Sequence, residues 1–294
     1  MAHRAGIAVI VGRPNVGKST LLNALVGQKV AIVTPRPQTT RTRIVGIRTL
    51  PEVQLVLVDT PGLHQARSLL NRRMVDLART SLSEGDVAVL VIDASVGFHA
   101  GDREIAETLA ATKVPVVVVL NKIDRIAKSK LLPIIAAVAQ VLPGAEIIPA
   151  SAKTGGELET VADVVMKALP EGPNLYPEDD FTTETERTLV QELVREQIFL
   201  ATREEVPYGV AVVLEEFTEK PDQKLTVVKA TILVDRENHK PIVLGTKGER
   251  IKAIGTTARQ EIEALLGMKV FLELFVRVEP GWSESPRRLM ELGL

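Results

Sequence analysis

The chain has 294 residues, 45% of them hydrophobic, and a formal net charge of −1. This length suits one large domain or two ordinary ones, and so small a net charge argues against a basic field over the whole surface. The lack of cysteine excludes disulfides and thiolate metal sites. Apolar runs are strand-sized, far below the roughly 20 residues of a membrane span, and the N-terminus lacks the long apolar core of a signal peptide, so we expect a cytoplasmic protein without a transmembrane segment.

Strands and helices alternate along residues 1–169, which we predict to form the first domain. Apolar runs at 7–11, 53–58, 114–120 and 146–149 predict buried strands, and helical spacing is found at about 17–27, 68–83, 101–112, 128–142 and 155–169. This alternation is typical of an α/β fold, a mostly parallel sheet with helices on both faces. Residues 170–182 contain three prolines and an acidic cluster, and they indicate a linker.

The pattern changes after the linker. Helical spacing at 183–202, strands at 210–216 and 225–234, a helix at 242–266 broken at 245–248, and an alternating strand at 269–278 follow in that order. This order predicts an α+β domain of the type II KH kind over residues 183–280, with a tail at 281–294.

The stretch Gly12-Arg-Pro-Asn-Val-Gly-Lys-Ser19 fits the pattern of a P-loop between a strand and a helix. Its backbone N–H groups should turn toward phosphates, while Lys18 reaches the β- and γ-phosphates and Ser19 binds Mg²⁺. The alternative is a glycine-rich turn with a stray lysine. The Asn15 side-chain oxygen is a candidate ligand for a monovalent cation. The residues predicted to contact nucleotide are Gly12, Arg13, Pro14, Asn15, Val16, Gly17, Lys18, Ser19 and Thr20.

Two further segments are predicted to surround the γ-phosphate. Asp59 ends a strand and should hold the Mg²⁺ coordination sphere through a water, and Gly62 should offer its N–H to phosphate. In the polar loop 34–43, Thr40 (or else Thr39) should complete the Mg²⁺ site. We thus predict Ser19, Thr40 and Asp59 as metal ligands, Lys18, Thr40, Gly62 and Asn15 as catalytic residues, and nucleotide contacts from Asp59, Thr60, Pro61, Gly62 and Leu63.

Leu63 stands where Ras-type proteins have the glutamine that orients the attacking water. An aliphatic side chain cannot do this, so we expect a low intrinsic rate of hydrolysis. Candidates for an arginine finger are Arg36, Arg41 and Arg43.

Base recognition is predicted after the last two strands of the first domain, residues 114–120 and 146–149. The Asp124 carboxylate in Asn121-Lys-Ile-Asp124 can accept both the N1–H and the exocyclic amino group of guanine, a donor pair that adenine lacks. Asn121 should brace the loops, and the Lys122 stem should cover the base. In Ser151-Ala-Lys153, the Ala152 N–H can meet guanine O6. The contacts predicted here are from Asn121, Lys122, Asp124, Ser151, Ala152 and Lys153.

The second domain contains the pattern Gly245-Thr246-Lys247-Gly248 between two predicted helices. Two glycines let the backbone approach a nucleic-acid strand closely, although the same four residues also suit an ordinary helix–helix turn. Residues 240–259 carry five basic residues against one acidic residue, Glu249. Trp282 can stack a base or pack the tail, and the sequence leaves both open. The predicted RNA contacts are Gly245, Thr246, Lys247, Gly248, Arg250, Lys252 and Trp282.

Together these motifs resemble the Era family of bacterial ribosome-assembly GTPases, which join a G domain of the TrmE-Era-EngA type to one type II KH domain. Pro37-Gln-Thr-Thr-Arg41, Val206-Pro-Tyr208 and Gly248-Glu-Arg-Ile-Lys252 match as well, and the resemblance covers essentially the whole chain. It implies Mg²⁺-dependent hydrolysis of GTP to GDP and binding of the 3′ region of 16S ribosomal RNA during assembly of the 30S subunit.

The resemblance carries further expectations. A hydrophobic residue in place of the catalytic glutamine fits Leu63, and Asn15 matches the position linked to potassium-assisted hydrolysis in related GTPases. We expect a monomer, with loose peripheral association at the inner face of the membrane. Two rival hypotheses remain: a GTPase that supports RNA modification and docks a protein through its second domain, and a non-hydrolysing nucleotide sensor that binds RNA passively.

Overall fold

The structure of the protein is a computed structural model that describes residues 3–37, 39–62 and 69–294, with the side chains of residues 75 and 79 outside this description. Leu63 and Gln38 therefore lie outside the described residues. The chain divides into two compact units, one built mostly from residues 1–183 and the other mostly from residues 184–294.

The first unit contains a six-stranded sheet. The strands, in chain order, are β1 (Arg4–Val11), β2 (Ile44–Leu50), β3 (Val53–Asp59), β4 (Val87–Asp93), β5 (Val116–Asn121) and β6 (Glu146–Pro149). Their spatial order is β2-β3-β1-β4-β5-β6, with β2 antiparallel to β3 and every other pair parallel. The α-helices described in this unit are α1 (Lys18–Val26), α2 (Leu69–Glu84), α3 (Ala100–Ala110), α4 (Leu131–Val141) and α5 (Leu158–Ala168).

Alternate residues of the central strands belong to two hydrophobic cores, one on each face of the sheet. In β1, Ala8 and Ile10 join the core shared with α1 and α5, while Val9 and Val11 join the core shared with α3 and α4. A strand buried on both faces must be apolar at every position, as in β4, where all seven residues are buried. The predicted α/β P-loop fold with helices on both faces is confirmed.

Residues 170–182 are fastened to the first unit, whereas the sequence predicted a linker there. The Gln54 side chain accepts from the N–H groups of Leu175 and Tyr176, and the Ile47 N–H donates to the Phe181 carbonyl at 2.8 Å. The Thr182 hydroxyl donates to the Val45 carbonyl at 2.6 Å. The prolines disfavour a helix or a regular strand in this segment. Other peptide groups of the segment nevertheless make hydrogen bonds with residues of β2 and β3.

The second unit contains four α-helices and a three-stranded sheet among its described residues. Its elements are α6 (Glu186–Ala201), β7 (Val210–Lys220), β8 (Leu225–Val234), α7 (His239–Leu244), α8 (Glu249–Leu266), β9 (Lys269–Val278) and α9 (Pro286–Glu291). The order is β7-β8-β9, with β7 antiparallel and β9 parallel to β8. The α+β KH fold predicted after the first domain is confirmed, with α7 beginning at His239 and not at residue 242.

Trp282 is buried in the second unit, and this corrects its assignment as an RNA contact. Its side chain is 1% exposed, and the indole N–H donates to the Gly209 carbonyl at 3.1 Å. The ring therefore packs the tail and has no free face for a base.

Within the described residues, no helix is both long enough and apolar enough to cross a membrane.

Candidate functional site

A cavity of about 460 Å³ lies in the first unit and is lined by the loops that follow β1, β3, β5 and β6. The carboxyl ends of parallel strands meet at one edge of a sheet, which is where such folds bind ligands. Thirteen lining residues were among the predicted site residues: Pro14, Asn15, Gly17, Lys18, Ser19, Thr20, Thr40, Gly62, Asn121, Lys122, Asp124, Ala152 and Lys153.

Asn121 connects the P-loop to the loop after β6. Its side-chain amide donates to the Val16 carbonyl at 2.9 Å, and its oxygen accepts from the Ala152 N–H at 2.9 Å. Gly17 has φ +102°, and a Cβ at this position would lie 2.3 Å from the Asn121 side-chain nitrogen. Only glycine permits so close an approach, so Gly17 and Asn121 together fix the position of the P-loop relative to the end of β5.

The Ala152 amide corrects one detail of the predicted base site. The sequence assigned its hydrogen to guanine O6, but in the structure that hydrogen is donated to Asn121. A contact with guanine O6 would require the Ala152 N–H to share or leave its bond to Asn121.

Three oxygens predicted to bind metal lie within hydrogen-bonding distance of one another. The Ser19 hydroxyl donates to Asp59 Oδ2 at 2.5 Å and lies 2.9 Å from the Thr40 hydroxyl, which donates to the same carboxylate oxygen at 3.1 Å. The other carboxylate oxygen, Asp59 Oδ1, is buried with no hydrogen-bond partner among the described residues. Hydroxyl and carboxylate oxygens are ligands that Mg²⁺ prefers, so this cluster fits that ion.

The structure separates the two candidate threonines. The Thr39 hydroxyl donates to the Arg36 carbonyl at 2.9 Å and lies 2.6 Å from the Thr34 hydroxyl. Thr40, in contrast, joins Ser19 and Asp59, so its position suits a metal ligand.

Lys18 is held inside the P-loop and is only 7% exposed. Its ammonium donates to the carbonyls of Gly12 at 3.3 Å and Arg13 at 3.2 Å. Burial lowers the pKa of Lys18, and the nearby Asp59 carboxylate partly opposes that shift. Burial likewise raises the pKa of Asp59. Each buried charge would gain from an added counter-charge, a phosphate for Lys18 and a cation for Asp59.

At the base end of the cavity, the Asp124 carboxylate accepts from the Ser151 hydroxyl at 2.6 Å. The Lys122 ammonium bonds Asp93 Oδ2 at 2.6 Å and the Asn15 carbonyl at 2.5 Å, which stretches its stem across the cavity wall. Burial alone would raise the pKa of Asp93, but hydrogen bonds from Lys122 and Ser95 outweigh it and leave the pKa lowered. Sequence reasoning missed Asp93.

Arg13 was predicted to contact nucleotide, but its side chain turns toward α3. Its Nε donates to Asp102 Oδ1 at 2.8 Å, and the other Asp102 oxygen accepts from the His99 N–H at 3.0 Å. Asp102 is fully buried and also closes the capping box of α3. Arg13 thus ties the P-loop to a neighbouring helix, a contact for which the sequence carries no local signal.

Other predicted residues also point away from the cavity. Val16 is 1% exposed and lies in the core, and the buried Thr60 hydroxyl donates to the Ile10 carbonyl at 2.9 Å. The buried Ser151 hydroxyl donates to Asp124 and accepts from the Thr154 N–H at 3.2 Å. Arg36 and Thr39, which the sequence offered as a candidate arginine finger and as the alternative metal ligand, also line the cavity. Lining residues that the sequence did not assign are Ile32, Val33, Thr34, Pro35 and Arg125.

The Asn15 amide nitrogen donates to the Pro35 carbonyl at 3.2 Å, which joins the P-loop to the loop over the cavity. This orientation leaves the side-chain oxygen without a hydrogen-bond partner among the described residues. The oxygen therefore remains a candidate cation ligand.

The glycine turn (residues 245–248) joins α7 to α8 in the second unit. Gly245 has φ +74°, and a Cβ there would lie 2.7 Å from the Arg250 Cβ, so the turn closes tightly only with glycine. Thr246, Lys247 and Lys252 are exposed. The Arg250 guanidinium donates to the Ile242 carbonyl and so bridges the two helices across the turn.

The first unit therefore has the fold and the site of a P-loop nucleotide-binding protein, and the second has the fold of a KH domain. Residues 7–122 match the family model described as 50S ribosome-binding GTPase, and residues 205–283 match the KH domain model. GTPase Era of Geotalea uraniireducens is 50% identical over 99% of this chain and 97% of its own, and that of Halothermothrix orenii is 45% identical over 100% and 99%.

Solved structures agree with these sequence relatives. Aquifex aeolicus Era bound to GDP·AlF4⁻ has 43% identity and a TM-score of 0.95 over 99% of both chains. Era in complex with MgGDPNP and nucleotides 1506–1542 of 16S ribosomal RNA gives the same identity, TM-score and coverage. The chain belongs to the Era family, and it is a GTPase.

Proposed function

We propose that the cavity of the first unit binds Mg²⁺ and GTP and that the second unit binds the 3′ region of 16S ribosomal RNA during 30S subunit assembly. The single observation that carries this proposal is the meeting of Ser19, Thr40 and Asp59 beside the buried Lys18. Residues from three separate segments, the start of α1, the loop before β2 and the end of β3, converge there on one group of oxygens, beside a cavity wide enough for a nucleotide.

Ser19 and Thr40 would hold Mg²⁺ directly, and Asp59 would hold it through a water. The bound ion would neutralise charge on the β- and γ-phosphates. Lys18 would release its two carbonyl contacts in favour of phosphate oxygens, and Gly62, which lines the cavity, would offer its N–H to the γ-phosphate. Asp124, oriented by Ser151, would select guanine.

Hydrolysis by this site should be slow without assistance. Because Leu63 has no polar group, it cannot orient the attacking water. The oxygen of Asn15, whose amide nitrogen is already engaged by Pro35, suits a potassium ion beside the phosphates. We propose that potassium supports turnover, and that hydrolysis with sodium in its place is several-fold slower.

The proposed RNA contact is the glycine turn. Two glycines let a KH turn press against about four nucleotides of backbone, while Lys247, Arg250 and Lys252 supply positive charge. The solved Era complex contains a 16S ribosomal RNA fragment, which supports the same class of ligand for this chain. The cytoplasmic location, monomeric state and loose association with the membrane are proposed from the family resemblance alone.

Crosslink mapping onto ribosomal RNA, with the protein loaded with GTP or with GDP, tests the proposal. We expect crosslinks from residues 245–252 to the 3′ end of 16S RNA, and a yield that depends on the nucleotide. Crosslinks to an RNA-modifying enzyme would favour the rival hypothesis of a docking domain. No phosphate release above the buffer rate, in excess potassium, would contradict hydrolysis by this cavity.

A further inference from the structure

A second cavity, of about 580 Å³, lies in the second unit next to the glycine turn. Its walls come from the end of α6, the loop that follows it, the connection between β8 and α7, and the first turn of α8. We call it the arginine cavity, after Arg203, Arg236 and Arg250, which line it. None of these elements belongs to the nucleotide site.

The three arginines differ from five others in this unit; Arg187, which has no ion pair among the described residues either, lies over the Phe217 ring. All three are exposed, and among the described residues no ion pair joins any of them to a carboxylate. Elsewhere in the unit, ion pairs with glutamates occupy Arg195, Arg259, Arg277, Arg287 and Arg288. Guanidinium groups that have no carboxylate partner are suited to bind phosphate, which they contact with two parallel hydrogen bonds.

The remaining lining suits a whole nucleotide better than a bare phosphate. Ile242 is 38% exposed and provides an apolar surface, while Glu204 and Glu205 add hydrogen-bond acceptors. His239 is 5% exposed, and its Nδ1 has no hydrogen-bond partner in the described structure. Burial and the charge of Arg236 lower the pKa of His239, against the opposing effect of Asp235 and Glu205, which favours the neutral ring.

The arginine cavity lies close in sequence to the proposed RNA contact. Arg250 is the second residue after Gly248, and it lines the cavity while donating to the Ile242 carbonyl. An RNA strand leaving the glycine turn on this side would therefore meet the cavity next.

We propose that the arginine cavity holds one nucleotide of single-stranded RNA adjacent to the stretch held by the glycine turn. Arg203 and Arg236 contact its phosphate, and its base packs on Ile242. This inference rests on the RNA-binding function proposed above and extends the footprint beyond the roughly four nucleotides of a KH turn.

The test compares the full chain with its Arg203→Gln/Arg236→Gln variant, using fluorescent RNA copies of the 3′ end of 16S RNA of about four and about twelve nucleotides. The exposed guanidinium groups make no ion pairs, so the variant should keep the wild-type Tm. Affinity for the long RNA should fall about tenfold, and the slope of log K against log salt should lessen by about 0.7 for one lost phosphate contact. Affinity for the short RNA should stay unchanged.

The matched control is Lys220→Gln/Lys224→Gln, which removes two exposed cations at the far end of the β7–β8 hairpin. It should bind both RNAs as the wild type does. If the arginine variant binds the long RNA with wild-type affinity and salt slope while Lys247→Glu abolishes binding, the arginine cavity is not a site although the KH function stands. If the wild-type chain binds neither RNA, the proposed function itself fails.

Discussion

The two candidate sites differ in how they hold their charges. In the nucleotide cavity, Lys18 and Asp59 are 7% and 0% exposed, and hydrogen bonds inside the protein fix both. At the glycine turn, Lys247 and Lys252 are exposed, and their side chains make no such bonds among the described residues. A pre-formed site loses much when one group is removed, whereas an exposed cationic surface loses little per residue and depends on salt.

Asp124→Asn should have the largest effect, because a site built on hydrogen bonds rejects a ligand that leaves them unmade. The asparagine amide would face the N1–H and amino group of guanine with a donor in place of an acceptor. GTP affinity should fall by about 10⁴, and xanthosine triphosphate should become the better ligand. Calorimetric titration with both nucleotides measures the change. The control is Asp163→Asn on the exposed face of α5, and equal GTP binding by the two variants would refute the assignment.

Asp102→Asn tests the anchorage of the P-loop through Arg13. Removing the buried carboxylate charge leaves the Arg13 side chain, 23% exposed, with a weaker partner. GDP affinity should fall about tenfold, and Tm should drop by several degrees, because a partly buried ion pair is broken. The control is the neighbouring exposed Arg103→Gln.

The distinguishing measurement is a double-mutant cycle with Arg13→Gln. The two changes should be strongly non-additive in GDP affinity, since each removes the same contact. Additive losses would mean that Asp102 acts only as a helix cap.

Lys247→Gln/Lys252→Gln should weaken RNA binding by about tenfold at low salt and lessen the salt slope by about 1.4, two phosphate contacts at 0.7 each. Potassium-dependent GTP hydrolysis should be unchanged. Fluorescence anisotropy across a salt series measures both quantities. A loss of affinity that is independent of salt would show that the turn does not act through its charge.

The smallest effect concerns His239. Burial lowers the pKa of His239 below the ordinary value of 6.5. At mildly acidic pH, the imidazole is therefore protonated more in the unfolded chain than in the folded chain. Stability is thus complete above about pH 6.5 and declines as the pH falls below it. Trp282, the sole tryptophan, is buried in the same unit, so its fluorescence reports unfolding there. Between pH 7.5 and about 5.5, the Tm of the His239→Gln variant should fall less than the Tm of the wild type. Parallel curves of Tm against pH would show that His239 does not contribute to the acid sensitivity.

The parts of the structure that the sequence predicted are those with local signals. Polar motifs directly after apolar runs located the loops at the carboxyl edge of the sheet, and the Thr40 hydroxyl lies within hydrogen-bonding distance of Ser19 and Asp59. Two strands, β2 and β4, were not among the predicted ones. An apolar run such as that of β4 gives no periodicity that separates a strand from a buried helix segment.

What the sequence could not show depends on distant pairs. Asp102 meets Arg13 across 89 positions and Lys122 meets Asp93 across 29, so neither contact has a spacing that can be read along the chain. Trp282 illustrates a second limit. An aromatic residue beside arginines fits both stacking and packing, and only its burial in the folded unit decides between them.

The fastening of residues 170–182 along the first unit has a practical consequence for dividing the chain. β2 lies at the margin of its sheet, and the segment covers its outer side through the Ile47–Phe181 and Val45–Thr182 hydrogen bonds. A fragment truncated at residue 169 would bare these peptide groups and invite strands of other molecules to pair with them. A fragment that ends just before α6 keeps these hydrogen bonds and should be monodisperse in solution.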